Sequence, residues 1–151
     1  MSSLIWPVKE SFIAYIVGAA AGAADLVKPA TRTASGAFVF PGASPSDRLP
    51  RHELEDPLRF VGALILTGHG GMLNLPLQDP WVEWTASGYV MSIVDPDEAE
   101  GRLPFVAIAG FVTSEDQHRA HGTSLTSEGA ELFFGPYNEG TVFDDPVISL
   151  A

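Results

Sequence analysis

The chain has 151 residues, 46% of them hydrophobic, which is enough apolar material for one domain with a sizeable core, expected over residues 1–151. It contains no cysteine, and this excludes disulfide bonds, thiolate ligands and cysteine-based zinc sites. Acidic residues outnumber basic ones by 19 to 8, and the net charge of −11 argues against nucleic acids and anionic membranes as partners.

The first predicted element is a helix over residues 6–20. Pro7 suits the first helical position, because its missing N–H would have no partner there anyway. Helical spacing relates the apolar and aromatic positions Val8, Phe12, Tyr15, Ile16 and Ala19. Gly18 and Gly22 weaken the helix at its end. Since no phosphate-binding glycine pattern follows a strand there, we interpret both as positions of close packing.

Short strands and a long loop are predicted next. Residues 24–40 read as short strand-like pieces. Residues 41–57 contain four prolines and many charges, which predicts a long loop or lid. Alternating leucines then predict a β-hairpin made of residues 58–67 and 72–78, with a glycine-rich turn at residues 68–71.

The second half of the chain is richer in strands. Residues 81–94 and 103–113 predict two strands, and residues 141–150 predict a last one. Residues 126–134 predict a short helix, with Thr126 as its N-cap. The expected fold is therefore mainly β, with antiparallel, sandwich-like sheets, an N-terminal helix and a short C-terminal helix.

Two motifs far apart in the sequence carry candidate chemistry. Ser11 and Tyr15 lie one turn apart on one face of the first helix. His69 lies in a Gly-His-Gly-Gly turn, where its imidazole can approach a ligand closely. A phenol that a histidine can polarise is able to form a tyrosinate–metal site of the kind that holds ferric haem. The structural alternatives are a core or interface aromatic for Tyr15, an exposed turn residue for His69 and a solvent-facing or backbone-bonded hydroxyl for Ser11.

Ordered blocks of sequence run through nearly the whole chain. They are WPVKESFIAY at 6–15, LRFVG at 58–62, LTGHGGMLNL at 66–75, DPWV at 79–82 and LTSEGA at 125–130, followed by Phe133, Tyr137, Gly140 and Asp145-Pro-Val. These blocks resemble the HtaA domain, the haem-binding module of actinobacterial haem-uptake proteins. The first block is similar to that family's opening W-x-V-K-x-S-F-x-x-Y.

The resemblance implies a β-rich fold and a role for each motif residue. Tyr15 is implied to be the axial ligand to the iron of ferric haem b, with His69 hydrogen-bonded to it. Ser11 is implied to contact a haem propionate. Phe133 or Phe134 is the nearest candidate for the aromatic residue that stacks on the porphyrin.

Two functions from different classes fit these motifs. The first is haem binding without turnover, for haem acquisition, carriage or storage, with haem and other haem-carrier proteins as partners. The second is a tyrosine-ligated haem enzyme of the cytosol that acts on peroxide or small nitrogen compounds. The enzyme needs an acid–base group over the open face of the iron, from His52, His118 or His121. A weaker third interpretation keeps the fold but binds another apolar ligand.

The N-terminus predicts the location of the chain. No basic segment precedes a hydrophobic one there, so no secretory signal is predicted, and the expected location is cytoplasmic. An extracellular or cell-surface location is expected instead if the sequence is a domain of a longer protein. His118 and His121 have helical metal-site spacing, but their polar context favours a solvated loop.

Overall fold

The computed structural model describes residues 2–133, 135 and 137–150, and these form two antiparallel sheets with two short helices. The helices are α1 (Glu10–Val17) and α2 (Ser127–Glu131). The strands are β1 (Ser3–Trp6), β2 (Ala23–Val27), β3 (Thr31–Arg32), β4 (Phe38–Pro41), β5 (Leu58–Arg59), β6 (Ala63–Gly68), β7 (Leu73–Gln78), β8 (Trp81–Thr85), β9 (Gly88–Asp95), β10 (Glu98–Thr113), β11 (Gln117–Leu125) and β12 (Val147–Ser149). The predicted mainly β class is confirmed.

The two sheets share one hydrophobic core. The large sheet has the order β3-β4-β1-β12-β11-β10-β9-β8-β5, and the small sheet has the order β2-β6-β7. Leucines of the small sheet and aromatic residues of the large one belong to the same buried cluster, among them Leu64, Leu66, Leu75, Leu77, Phe38, Phe40 and Phe105. Within the described residues, no helix is long and apolar enough to cross a membrane.

The first helix is Glu10–Val17, shorter than the predicted 6–20, and Trp6 pairs in the large sheet as the last residue of β1. Trp6 lies opposite Phe38 of β4, and its indole donates to the main-chain oxygen of Asp144. The chain then turns at Val8, whose φ of 66° is not helical. Helix α1 begins at Glu10, whose N–H donates to the carboxylate of Asp144 at 2.7 Å. The prediction that Pro7 begins the helix is therefore wrong, since sheet pairing outweighs the local helical pattern.

The hairpin that carries the histidine turn is confirmed. Strands β6 and β7 pair from Ala63 opposite Gln78 to Gly68 opposite Leu73. The predicted strand over residues 58–67 is divided, because Leu58–Arg59 pairs with β8 of the large sheet. The predicted loop over residues 41–57 is irregular apart from its first residue in β4 and a bridge at Gly42.

The loop predicted around His118 and His121 is wrong, since both residues lie in β11. His118 is 6% exposed, and its ring nitrogens bond the hydroxyl of Thr113 at 2.8 Å and the main-chain oxygen of Asp47 at 2.9 Å. Side chains along β11 point alternately to the core and to solvent, which buries His118 and leaves His121 exposed. Pairing with β10 and β12 supplies the backbone hydrogen bonds that the polar sequence did not indicate.

The second helix is confirmed with its cap. The hydroxyl of Thr126 accepts a hydrogen bond from the N–H of Gly129 at 2.9 Å. The helix ends at Glu131 and places Phe133, which is 3% exposed, in the core. Phe134 lies outside the described residues.

Candidate functional site

Helix α1 presents Tyr15 at the edge of the core. Phe12, Ile13 and Ile16 are its buried residues and fix the face that it turns inward. Tyr15 lies one residue before Ile16 and is 43% exposed. The ring thus emerges from the core with its hydroxyl accessible, which is the position a ligand-binding phenol needs.

The tip of the β6–β7 hairpin presents His69. His69–Gly71 form one 3-10 turn, and His69 has a φ of 51°, a left-handed conformation that few residues with a side chain adopt. Gly70 and Gly71 also have positive φ, and an added Cβ at either would meet no atom within 4 Å. Glycine is therefore needed there for backbone conformation and not for space.

These two elements bring Tyr15 and His69 together although 54 residues separate them. The phenol oxygen lies 2.7 Å from Nε2 of the imidazole, and the ring centroids are 5.6 Å apart. With Nε2 protonated, the imidazole donates to the phenol oxygen and stabilises a negative charge on it. The predicted contact between the two motifs is present.

The Tyr15–His69 pair lies in the wall of a cavity of about 720 Å³. The residues that line it are Phe12, Tyr15, His69, Met72, Leu73, Phe133 and Tyr137. Phe12, Phe133 and Tyr137 contact one another edge to face, with centroid separations of 5.0 to 5.6 Å. Met72 is 80% exposed, so an apolar, aromatic-walled cavity opens to solvent on this side.

Tyr137 is a second phenol in the cavity, and its environment differs from that of Tyr15. Burial raises the pKa of Tyr137, and charge on Tyr15 raises it further. The amine of Lys9 lies over the Tyr137 ring, 6.0 Å from its centroid. The phenol of Tyr137 is therefore harder to ionise than that of a free tyrosine.

The structure places three of the five predicted site residues in this cavity: Tyr15, His69 and Phe133. Ser11 is exposed on α1 and is not one of the lining residues, and the fifth, Phe134, is outside the described residues. Sequence reasoning did not assign the lining residues Phe12, Met72, Leu73 and Tyr137 to the site. Tyr137 had a signal, because it is one of the family-like positions that follow the last sequence block at residues 125–130.

The other three histidines lie away from the cavity. His52 contacts Glu55 at 3.3 Å in the loop over residues 41–57. His118 lines a separate, smaller cleft of about 360 Å³ with Tyr89 and Phe111. His121 packs over Gly110 of β10. None of them is among the residues that line the larger cavity.

Comparison with known proteins identifies the family. A family model described as Htaa matches residues 1–149. The chain belongs to the HtaA family. No curated protein matches the chain.

Solved structures of HtaA domains and of HtaB share the fold over nearly the whole chain. The N-terminal domain of HtaA from Corynebacterium glutamicum has a TM-score of 0.74 at 20% identity, covering 98% of this chain and 95% of that one. The C-terminal domain of the same protein has a TM-score of 0.67 at 24% identity, with 98% and 94% covered. The haem-binding protein HtaB from that organism has a TM-score of 0.66 at 17% identity, with 99% and 95% covered.

Proposed function

We propose that this protein binds ferric haem b in the large cavity, with the phenolate oxygen of Tyr15 as the axial ligand to the iron. The observation that carries the proposal is the 2.7 Å contact between Tyr15 and His69 in the wall of an apolar cavity. The structural similarity to the haem-binding protein HtaB supports haem as the ligand.

The cavity has the chemistry that a porphyrin requires. Its volume of about 720 Å³ lies within the range of roughly 300–1,000 Å³ usual for ligand sites. Aromatic rings and aliphatic side chains form most of its described lining. Among the described lining residues, the polar side chains are Tyr15, His69 and Tyr137, and the first two are in hydrogen-bond contact.

The Tyr15–His69 pair lowers the free energy needed to form a phenolate ligand at neutral pH. A free tyrosine side chain titrates near 10, so ionising a phenol at pH 7 costs about 4 kcal/mol in the absence of stabilising partners. A hydrogen bond from His69 to the resulting anion is worth about 1.5–3 kcal/mol. The positive charge of ferric iron supplies the remainder.

The open cavity favours binding and transfer over turnover. Tyr15 and Met72 remain accessible to solvent, which permits haem to enter and leave. A haem enzyme needs an acid–base group over the open iron face, and His52, His118 and His121 do not line the cavity. We therefore propose haem acquisition, carriage or storage, with exchange between this protein and other haem carriers. In this proposal Phe133 stacks on the porphyrin and Ser11 contacts a propionate.

Titration of the apo-protein with hemin tests the proposal. We expect a saturable Soret band with ferric high-spin features in the wild type, and loss of most of it in Tyr15→Phe. Tyr89→Phe is the matched control, because it also removes one phenol hydroxyl but from the smaller cleft. Equal spectra for Tyr15→Phe and Tyr89→Phe would remove Tyr15 as the ligand, and no saturable binding by the folded wild type would overturn haem binding itself.

A further inference from the structure

The segment that leaves α1 contacts both halves of the Tyr15–His69 pair through its backbone. We call residues 18–22 the helix exit. The N–H of Ala20 donates to the carbonyl of Tyr15 at 3.0 Å, and the carbonyl of Ala20 accepts from the N–H of His69, also at 3.0 Å. Ala20 is 4% exposed. One buried residue thus connects the main chains of the two residues whose side chains meet in the cavity.

The helix exit is pressed against strand β6 at Gly22. A Cβ at this position would lie 1.7 Å from the carbonyl oxygen of Thr67 and 2.7 Å from the Cα of Gly68. The φ of Gly22 lies outside the left-handed range, so glycine is required by the close approach of two backbones. From the next residue onward, β2 pairs with β6, beginning with Ala23 opposite Thr67.

We infer that Ala20 and Gly22 are positioning residues that set the separation between the phenol of Tyr15 and the imidazole of His69. The inference rests on the proposed function, since it assigns these residues a role in holding the ligand pair. Tyr15 lies five residues before Ala20, and His69 lies two after Thr67. A displacement where Gly22 contacts β6 therefore moves helix α1 relative to the tip of the β6–β7 hairpin.

The expected displacement is large compared with a hydrogen bond. Real Cβ atoms essentially never lie within 3.0 Å of such a neighbour, so an alanine at position 22 must shift the backbones by at least about 1.3 Å. A shift of that size along the Tyr15–His69 contact would lengthen it from 2.7 Å to roughly 4 Å, beyond the range of a hydrogen bond. His69 then no longer stabilises the phenolate.

The test is a double-mutant cycle on the rate of haem loss from the ferric holoprotein. Gly22→Ala is expected to speed haem loss about tenfold or more, the effect of losing a hydrogen bond to a charged group. In the His69→Ala background, the same change is expected to have almost no further effect. A merely structural role would give the same increase in both backgrounds, and that result would overturn the inference.

Two further variants keep the test decisive. Gly68→Ala is milder, because its Cβ would meet the Cβ of Ala20 at 3.2 Å, and its smaller effect on haem loss should also vanish without His69. It replaces Gly22→Ala if that variant fails to fold. Gly88→Ala is the control, because it strains a positive-φ residue at the start of β9 that faces open space, and it should leave haem loss unchanged. If Gly22→Ala speeds haem loss equally with and without His69, while Tyr15→Phe still abolishes haem binding, the positioning role is rejected and the proposed function remains.

Discussion

Replacing His69 by alanine removes the imidazole while retaining a side chain at the left-handed turn position. The bond that disappears is the 2.7 Å contact with the phenol oxygen of Tyr15. A hydrogen bond to a charged group contributes about 1.5–3 kcal/mol, and each 1.36 kcal/mol is a factor of ten. Haem loss from the ferric His69→Ala protein should therefore be roughly 10- to 150-fold faster than from the wild type.

The assay is transfer of haem to excess apomyoglobin, followed at the Soret band. Because apomyoglobin captures free haem irreversibly on this timescale, the observed rate reports dissociation from the protein. His121→Ala is the matched control, since it removes an exposed imidazole that lies over Gly110 and away from the cavity. A His69→Ala rate within a factor of two of the His121→Ala rate would refute the claim that the imidazole stabilises the ligand.

Three further predictions concern stability. Thr126→Ala should lower the free energy of unfolding, measured by urea titration, by about 1–2 kcal/mol, because the hydrogen bond that caps α2 at Gly129 is lost. Ser127→Ala is its control, since it removes an exposed hydroxyl and should change this free energy by less than about 0.5 kcal/mol. Phe133→Ala should cost about 3–5 kcal/mol in urea titrations of the apo-protein, since the ring is 3% exposed, and a loss below 1 kcal/mol would show that it is not packed as described. Burial raises the pKa of Tyr89, so the unfolded chain loses this proton first as the pH rises past about 10, and stability falls there. Melting temperatures of Tyr89→Phe should decline less steeply above that pH than those of the wild type, and parallel curves would contradict this.

The parts of the fold that the sequence predicted are those with local signals. The alternating leucines about the turn of His69 predicted the hairpin, and Thr126 predicted the start of α2. Gly18 and Gly22 were interpreted as positions of close packing, and Gly22 indeed lies against Thr67. In each case, a few neighbouring residues contain the whole signal.

The errors arose where distant pairing decides the structure. Trp6 was predicted to be helical and the segment around His118 to be a loop, but hydrogen bonds to strands far away in sequence make both extended. The same limit applies to the site. Tyr15 and His69 could be named from motifs, whereas Leu73 and Met72 line the cavity because of how the hairpin tip lies against α1.

Resonance Raman spectroscopy of the ferric complex tests the central claim most directly. With excitation into a tyrosinate-to-iron charge-transfer band, phenolate ring modes should appear, shift when the protein carries ring-deuterated tyrosine, and be absent from Tyr15→Phe. A wild-type complex that shows no isotope-sensitive phenolate modes, or a Tyr15→Phe complex that retains them, would contradict ligation by Tyr15.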